Sequence, residues 1–136
     1  MKILTFKGSC LCGSVQYELQ GEPKRFYHCH CCRCRKATGT GHASNIMVKA
    51  EDFRWVQGDA LLRRYKVPDA ERFYSHFCSE CGSAMPREVP EIGMIVIPAG
   101  SLDHEIPIRP EARIFWDSRA EWSCSDDVLP TYAEYP

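Results

Sequence analysis

The chain has 136 residues, 44% hydrophobic and 26% charged, with a formal net charge of −1. That is room for one domain, residues 1–136, with a real core. The near-neutral balance gives no global field to draw it onto nucleic acid or an acidic membrane, and no apolar run approaches the roughly 20 residues of a membrane span.

The opening MKILTFKGSC holds too short an apolar stretch for the core of a secretory leader. The expected location is therefore a reducing cytoplasm. Nine prolines and nine glycines punctuate the chain, and short strand-like runs lie between them. Val15, Tyr17 and Leu19 alternate with Gln16, Glu18 and Gln20, as in a half-buried strand. Cys32–Thr38 is the best site for a turn of helix, with Gly39 to end it. Further strands are expected at Ala43–Val48, Phe53–Val56, Leu61–Val67, Arg72–Phe77, Met94–Pro98 and Ala112–Trp116. The run MIVIP is apolar on both faces and should lie inside a sheet. The expected fold class is mainly β, built of short strands and loops.

Nine cysteines are an odd number, so complete disulfide pairing is impossible. Without an export signal, thiol clusters point to metal binding or redox chemistry. Eight of the nine fall into three groups. SCLCG holds Cys10 and Cys12. YHCHCCRCRK holds Cys29, Cys31, Cys32 and Cys34. FCSECG holds Cys78 and Cys81, and Cys124 stands alone.

A C-x-x-C turn aims two sulfurs the same way, and Gly82 permits the tight backbone after it. That is half of a tetrahedral zinc site. Cys10 and Cys12 can chelate the same ion, so Cys10, Cys12, Cys78 and Cys81 make a four-thiolate set. Its halves are about 65 residues apart, and closing so long a loop would add folding free energy. This site reads as structural. The competing reading is a redox pair at Cys78 and Cys81, but such pairs open a helix, and FCSECGSAMPRE, with its Gly and Pro, does not.

Cys29, Cys31 and Cys34 form C-x-C-x-x-C. Three protein ligands leave the fourth position of a zinc ion for water or substrate, as in catalytic sites. Cys32, adjacent to Cys31, should point away and be a small buried bystander. Two alternatives stand beside this. His28 or His30 could close the fourth position and make the site structural, or a single ion could use some of the eight thiols and leave the rest free.

GSCLCGSVQY, YHCHCCRCRKATG, FCSECGSAM and ARIFWDSRAEW, with a downstream LPTY, resemble the glutathione-dependent formaldehyde-activating enzyme family. That family shares its domain with a vertebrate centromere protein. The resemblance runs from Gly8 to about Tyr132. It implies a tent-shaped arrangement of antiparallel sheets with zinc-binding loops, of the type named after a small zinc-binding Rab chaperone. It implies two Zn(2+) per chain, a structural one on Cys10, Cys12, Cys78 and Cys81 and a catalytic one on Cys29, Cys31 and Cys34. The implied activity is a carbon–sulfur lyase that joins the glutathione thiol to formaldehyde. Where the family often has a histidine before Ile-Phe, this chain has Arg113.

Three thiolates on Zn²⁺ carry a net charge near −1, by counting, against about +2 for three imidazoles. Such a site is the weaker Lewis acid and suits a soft incoming sulfur. Arg35 and Lys36 beside it would attract a carboxylate-bearing thiol such as glutathione, and a backbone N–H at Gly39 could contact substrate. Arg33 reads as a solvated face. The expected partner is a small thiol or thiol adduct, with no nucleic acid and no membrane. The alternative function is a non-catalytic, zinc-stabilised binding module with both ions structural. A redox or metal-handling role for labile thiols is the third.

Overall fold

The structure, a computed structural model, describes residues 2–124 and 128–136; Met1 and residues 125–127 of the expected domain lie outside the described residues. The main sheet has the order β1-β2-β3-β7-β6 (Leu4–Ser9, Gln16–Cys29, Ala43–Gln57, Met94–Pro98 and Arg87–Val89). Its spine is the antiparallel pair β2–β3. The other edge of β2 is shared. β1 covers Gln16–Gly21, and a short parallel strand, β8 (Ala112–Ile114), covers Tyr27–Cys29. A separate antiparallel hairpin joins β4 (Leu62–Lys66) to β5 (Tyr74–Cys78). The one α-helix among the described residues, α1, is Cys32–Thr38. The architecture is mainly β with antiparallel sheets, as the sequence leads one to expect.

Two strands run longer than their patterns. β2 continues through Gly21 and Pro23, residues that ordinarily end a strand, because both sit at register shifts where a ladder N–H is not needed. A Cβ on Gly21 would stand 2.5 Å from the Lys49 carbonyl oxygen, so the two backbones approach closely there. The expected strands Ala43–Val48 and Phe53–Val56 are one strand, β3. Its polar middle stays paired, Lys49 with Glu22 and Asp52 with Gln20. MIVIP is β7, between β3 and β6, with Ile95, Val96 and Ile97 buried.

The main core gathers Phe6, Val15, Tyr17, Leu19, Ile46, Val48, Met85, Ile95 and Ile97, and it includes Cys10 and Cys78. A second, smaller cluster holds Cys29, Cys34 and Ala43, flanked by Cys31, Phe73 and Ile114. The cysteine groups therefore root in two different parts of the molecule. Tyr17 is buried, and its hydroxyl shares a 2.6 Å hydrogen bond with Ser101 Oγ. Desolvation holds its ionisation well above the ordinary tyrosine range.

Candidate metal centres

Cys10 and Cys12 lie in the turn between β1 and β2. Gly13 takes a left-handed conformation there (φ 80°), and its N–H closes onto the Cys10 carbonyl at 3.0 Å. The Val15 N–H points at Cys10 Sγ, 3.3 Å away. Cys78 ends β5. The Gly82 N–H donates to its carbonyl at 2.7 Å, at a left-handed Gly82 (φ 76°), which is the tight turn the C-x-x-C spacing requires. All four Sγ atoms lie within 4.8 Å of one another. Cys10 and Cys12 sulfurs are 3.5 Å apart, and Cys12 and Cys78 sulfurs 3.9 Å. A tetrahedron with Zn–S bonds of about 2.3 Å has edges of about 3.8 Å, so this sulfur cage has the size of a tetrahedral thiolate site.

The two halves are also joined directly. The Leu11 N–H donates to Ser83 Oγ at 2.9 Å, and Ser83 Oγ lies 3.3 Å from Cys81 Sγ. Hydrogen bonding to Ser83 is the main reason the Cys81 thiol is pulled down to about 5. Cys12 is lowered chiefly by hydrogen bonding to Ser14. Thiols that ionise easily are ready metal ligands.

The second group is built by the end of β2 and the start of α1. Cys29 is the last residue of β2, held between Ala43 of β3 and Ile114 of β8. Cys31 is the N-cap of α1, and its Sγ accepts the Cys34 N–H at 3.3 Å. Cys34 is one turn in, on the buried face. The helix ends as its sequence indicates. Gly39 is left-handed (φ 72°), and its N–H caps the Arg35 carbonyl at 2.8 Å. The sulfurs of Cys29, Cys31 and Cys34 lie within 4.8 Å of one another. The Cys34 thiol donates toward Cys29, bringing Cys29 down to about 6, while the same contact and burial push Cys34 up. Metal binding at such a set displaces the thiol protons.

No imidazole or carboxylate among the described residues joins either sulfur set. His28 stacks on His42, ring centroids 4.0 Å apart, and His30 packs against His42 and edge-on to Trp116, both at 5.1 Å. Both rings are held in an aromatic layer. His30 is fully buried, with neither ring nitrogen hydrogen-bonded. Cys32 is exposed, not buried as its sequence context led us to expect, because the first helical position faces outward; it stays outside the three-sulfur set. Cys124 is exposed as well.

The three-thiol group opens onto two adjoining cavities of about 530 and 570 Å³, a size that takes a small peptide. Cys34, Asn45, Phe73, Arg87 and Val96 line both. Lys36 lines the first. Arg33, read from sequence as a solvated face, lines the second with Arg72. Arg35 turns elsewhere and donates to the Ser118 carbonyl at 3.0 Å; Gly39 serves as the helix cap. Asn45, Phe73 and Arg87 are additions that sequence reasoning did not make. Nothing in their spacing marks them, since pairing of β3, β7 and β6 carries Asn45 and Arg87 to the cleft.

Comparison with known proteins agrees with this picture. The model of the family described as "Glutathione-dependent formaldehyde-activating enzyme" matches residues 5–118. A Halomonas elongata protein named "Putative glutathione-dependent formaldehyde-activating enzyme" is 32% identical over 129 residues, covering 88% of this chain and 80% of its own. The fold is also similar to the crystal structure of a Rhodobacter sphaeroides protein, with a TM-score of 0.62 at 21% identity, over 79% of this chain and 98% of that one. Family match and relative agree with the cysteine signature and the mainly β fold, and the chain belongs to the glutathione-dependent formaldehyde-activating enzyme family.

Proposed function

We propose that the chain is a zinc-dependent carbon–sulfur lyase that makes or breaks the adduct of a glutathione-like thiol with an aldehyde. Cys10, Cys12, Cys78 and Cys81 would hold a structural zinc, and Cys29, Cys31 and Cys34 a second, catalytic one. The observation that carries this reading is the contrast between the two sulfur sets. One has four ligands and is rooted in the core. The other has three, with no fourth side chain among the described residues, and opens onto a cleft.

Zinc on three thiolates would supply a soft Lewis-acid position at which a substrate sulfur sheds its proton. The chain's own residues do the rest. Lys36, Arg87 and Asn45 offer donors around the cleft, and Phe73 and Val96 give it an apolar wall. Arg35 and Gly39 shape the helix beside it. In the synthetic direction sulfur bonds to the carbonyl carbon, the π pair moves to oxygen, and oxygen takes a proton. Cleavage is the reverse. Holding thiol and aldehyde side by side supplies much of the acceleration.

The test measures metal content and the glutathione–formaldehyde exchange rate by NMR, above the uncatalysed background. Two zinc ions per chain are expected, and Cys31→Ser should abolish exchange while the protein stays folded. A Cys31→Ser protein that exchanges at the original rate would sink the reading. A folded protein with both ions and no exchange on any thiol adduct would favour a binding module.

A further inference from the structure

We propose that Arg87 reads a carboxylate of the substrate, so that the cleft selects anionic thiols over neutral ones. This rests on the reading of the three-thiol group as the place where a thiol adduct is handled.

Arg87 opens β6 opposite Val96 of β7 and lines both cavities at the three-thiol group. Among the described residues no carboxylate lies within ion-pairing distance of it, whereas Arg54 and Arg25 have Glu18 and Glu111. Its guanidinium carbon stands 5.1 Å from the centre of the Phe73 ring and 5.9 Å from that of Tyr74. Ring faces at these distances attract the cation and keep it beside Phe73 and Tyr74, and a guanidinium so placed offers a planar N–H fork to the cleft. A two-oxygen anion is the partner that matches such a fork.

The charge around it points the same way. The two cavities are lined by Arg33, Lys36, Arg72 and Arg87 and by no Asp or Glu. Three metal-bound thiolates would bring a surplus of about one negative charge by counting, which leaves the lining positive. Burial works against the Arg87 charge, so a substrate anion would compensate a cation the cleft leaves without a carboxylate. A merely charge-balancing Arg87 would act on metal retention and treat every thiol alike. A carboxylate reader treats them differently.

The experiment uses the zinc-loaded full chain and two probes with the same thiol, glutathione and its dimethyl ester, with binding read by calorimetry. The original protein should prefer glutathione by on the order of tenfold or more. Arg87→Gln should lose that preference, weakening glutathione while leaving the ester unchanged. Arg87→Lys keeps the charge without the fork and should fall between; it carries the test if the glutamine variant does not fold. Equal weakening of both probes, an unchanged preference in either variant, or no preference in the original protein would overturn the proposal. Binding is read without turnover, so absence of lyase activity would remove the proposed reaction and leave this result standing. Active protein with an unchanged preference would remove Arg87 alone.

Discussion

The Leu11 N–H donates to Ser83 Oγ across 2.9 Å, linking two turns that stand 72 residues apart in the chain. The same oxygen is 3.3 Å from Cys81 Sγ, so one hydroxyl braces both halves of the four-thiol cage. Partners of this kind orient metal ligands, and their loss costs on the order of 10–100-fold in metal affinity. Ser83→Ala should lower zinc affinity by about that much, read by competition with a chromophoric chelator. The pH sign follows from Cys81. Without Ser83 its thiol rises from about 5 and protonates at higher pH. Protons then displace the metal earlier, so the acid midpoint for zinc release should move upward.

Cys31 has two tasks, and two substitutions separate them. Its sulfur belongs to the three-thiol set and also caps α1 by accepting the Cys34 N–H. A serine oxygen is a good N-cap acceptor but a poor zinc ligand, and alanine is neither. Cys31→Ser should lose the second metal at little cost to the fold. Cys31→Ala should lose that metal and about 1 kcal/mol of stability besides. Urea denaturation of the two variants, each stripped of the second ion, measures the difference.

His30 should stabilise the protein when removed. It is fully buried with both ring nitrogens unpartnered, and burial followed by the charge of His42 lowers its pKa. Its neighbour His28 is lowered by the same two causes in the same order. A histidine depressed in the folded state binds more protons when unfolded. The proton-linked penalty is therefore absent above the ordinary histidine pKa of about 6.5 and grows as pH falls below it. His30→Leu should be neutral to about 1 kcal/mol stabilising near neutrality. Its advantage should grow as pH is lowered toward 5, seen as a smaller fall in Tm than in the original protein.

Gly8 should tolerate no side chain. A Cβ there would stand 2.4 Å from the Tyr17 ring and 2.5 Å from the Ser101 carbonyl oxygen. Both partners are fixed by the Tyr17–Ser101 hydrogen bond and by Ser101 Oγ donating to the Pro98 carbonyl. Gly8→Ala should cost about 1–3 kcal/mol from overpacking, while alanine at Gly100, where nothing lies within 4 Å, should leave the melting temperature nearly unchanged.

The cysteine grouping was readable in advance because chelation imposes short, local spacings, and seven of the eight grouped sulfurs fall into the two sets those spacings outline, Cys32 standing aside. The helix Cys32–Thr38 and the strand Met94–Pro98 were equally readable, one from its glycine stop and the other from its unbroken apolar run. β1 was not, since LTFKGS is short and half polar and becomes a strand only through its partner β2. Gly21 and Pro23 hid the length of β2 by doing at a bulge what they usually do at a turn. Arg87 and Phe73 were invisible for a different reason. Their importance is a matter of what lies opposite them, and that is decided by strand pairing across the sheet and by the return of a separate hairpin.

That hairpin has a consequence. Among the described residues β4 and β5 pair only with each other, and the Phe77–Ala84 bridge joins β5 to the segment before β6 rather than to a strand of the larger sheet. Phe73 leads into β5, and Cys78 closes it inside the sulfur cage. Whatever clasps those four sulfurs therefore also anchors a roof over the other three. Chemical stripping aimed at the exposed cleft, if it reached the clasp as well, would let the roof lift, and a vanished activity would then say little about which ion had performed it.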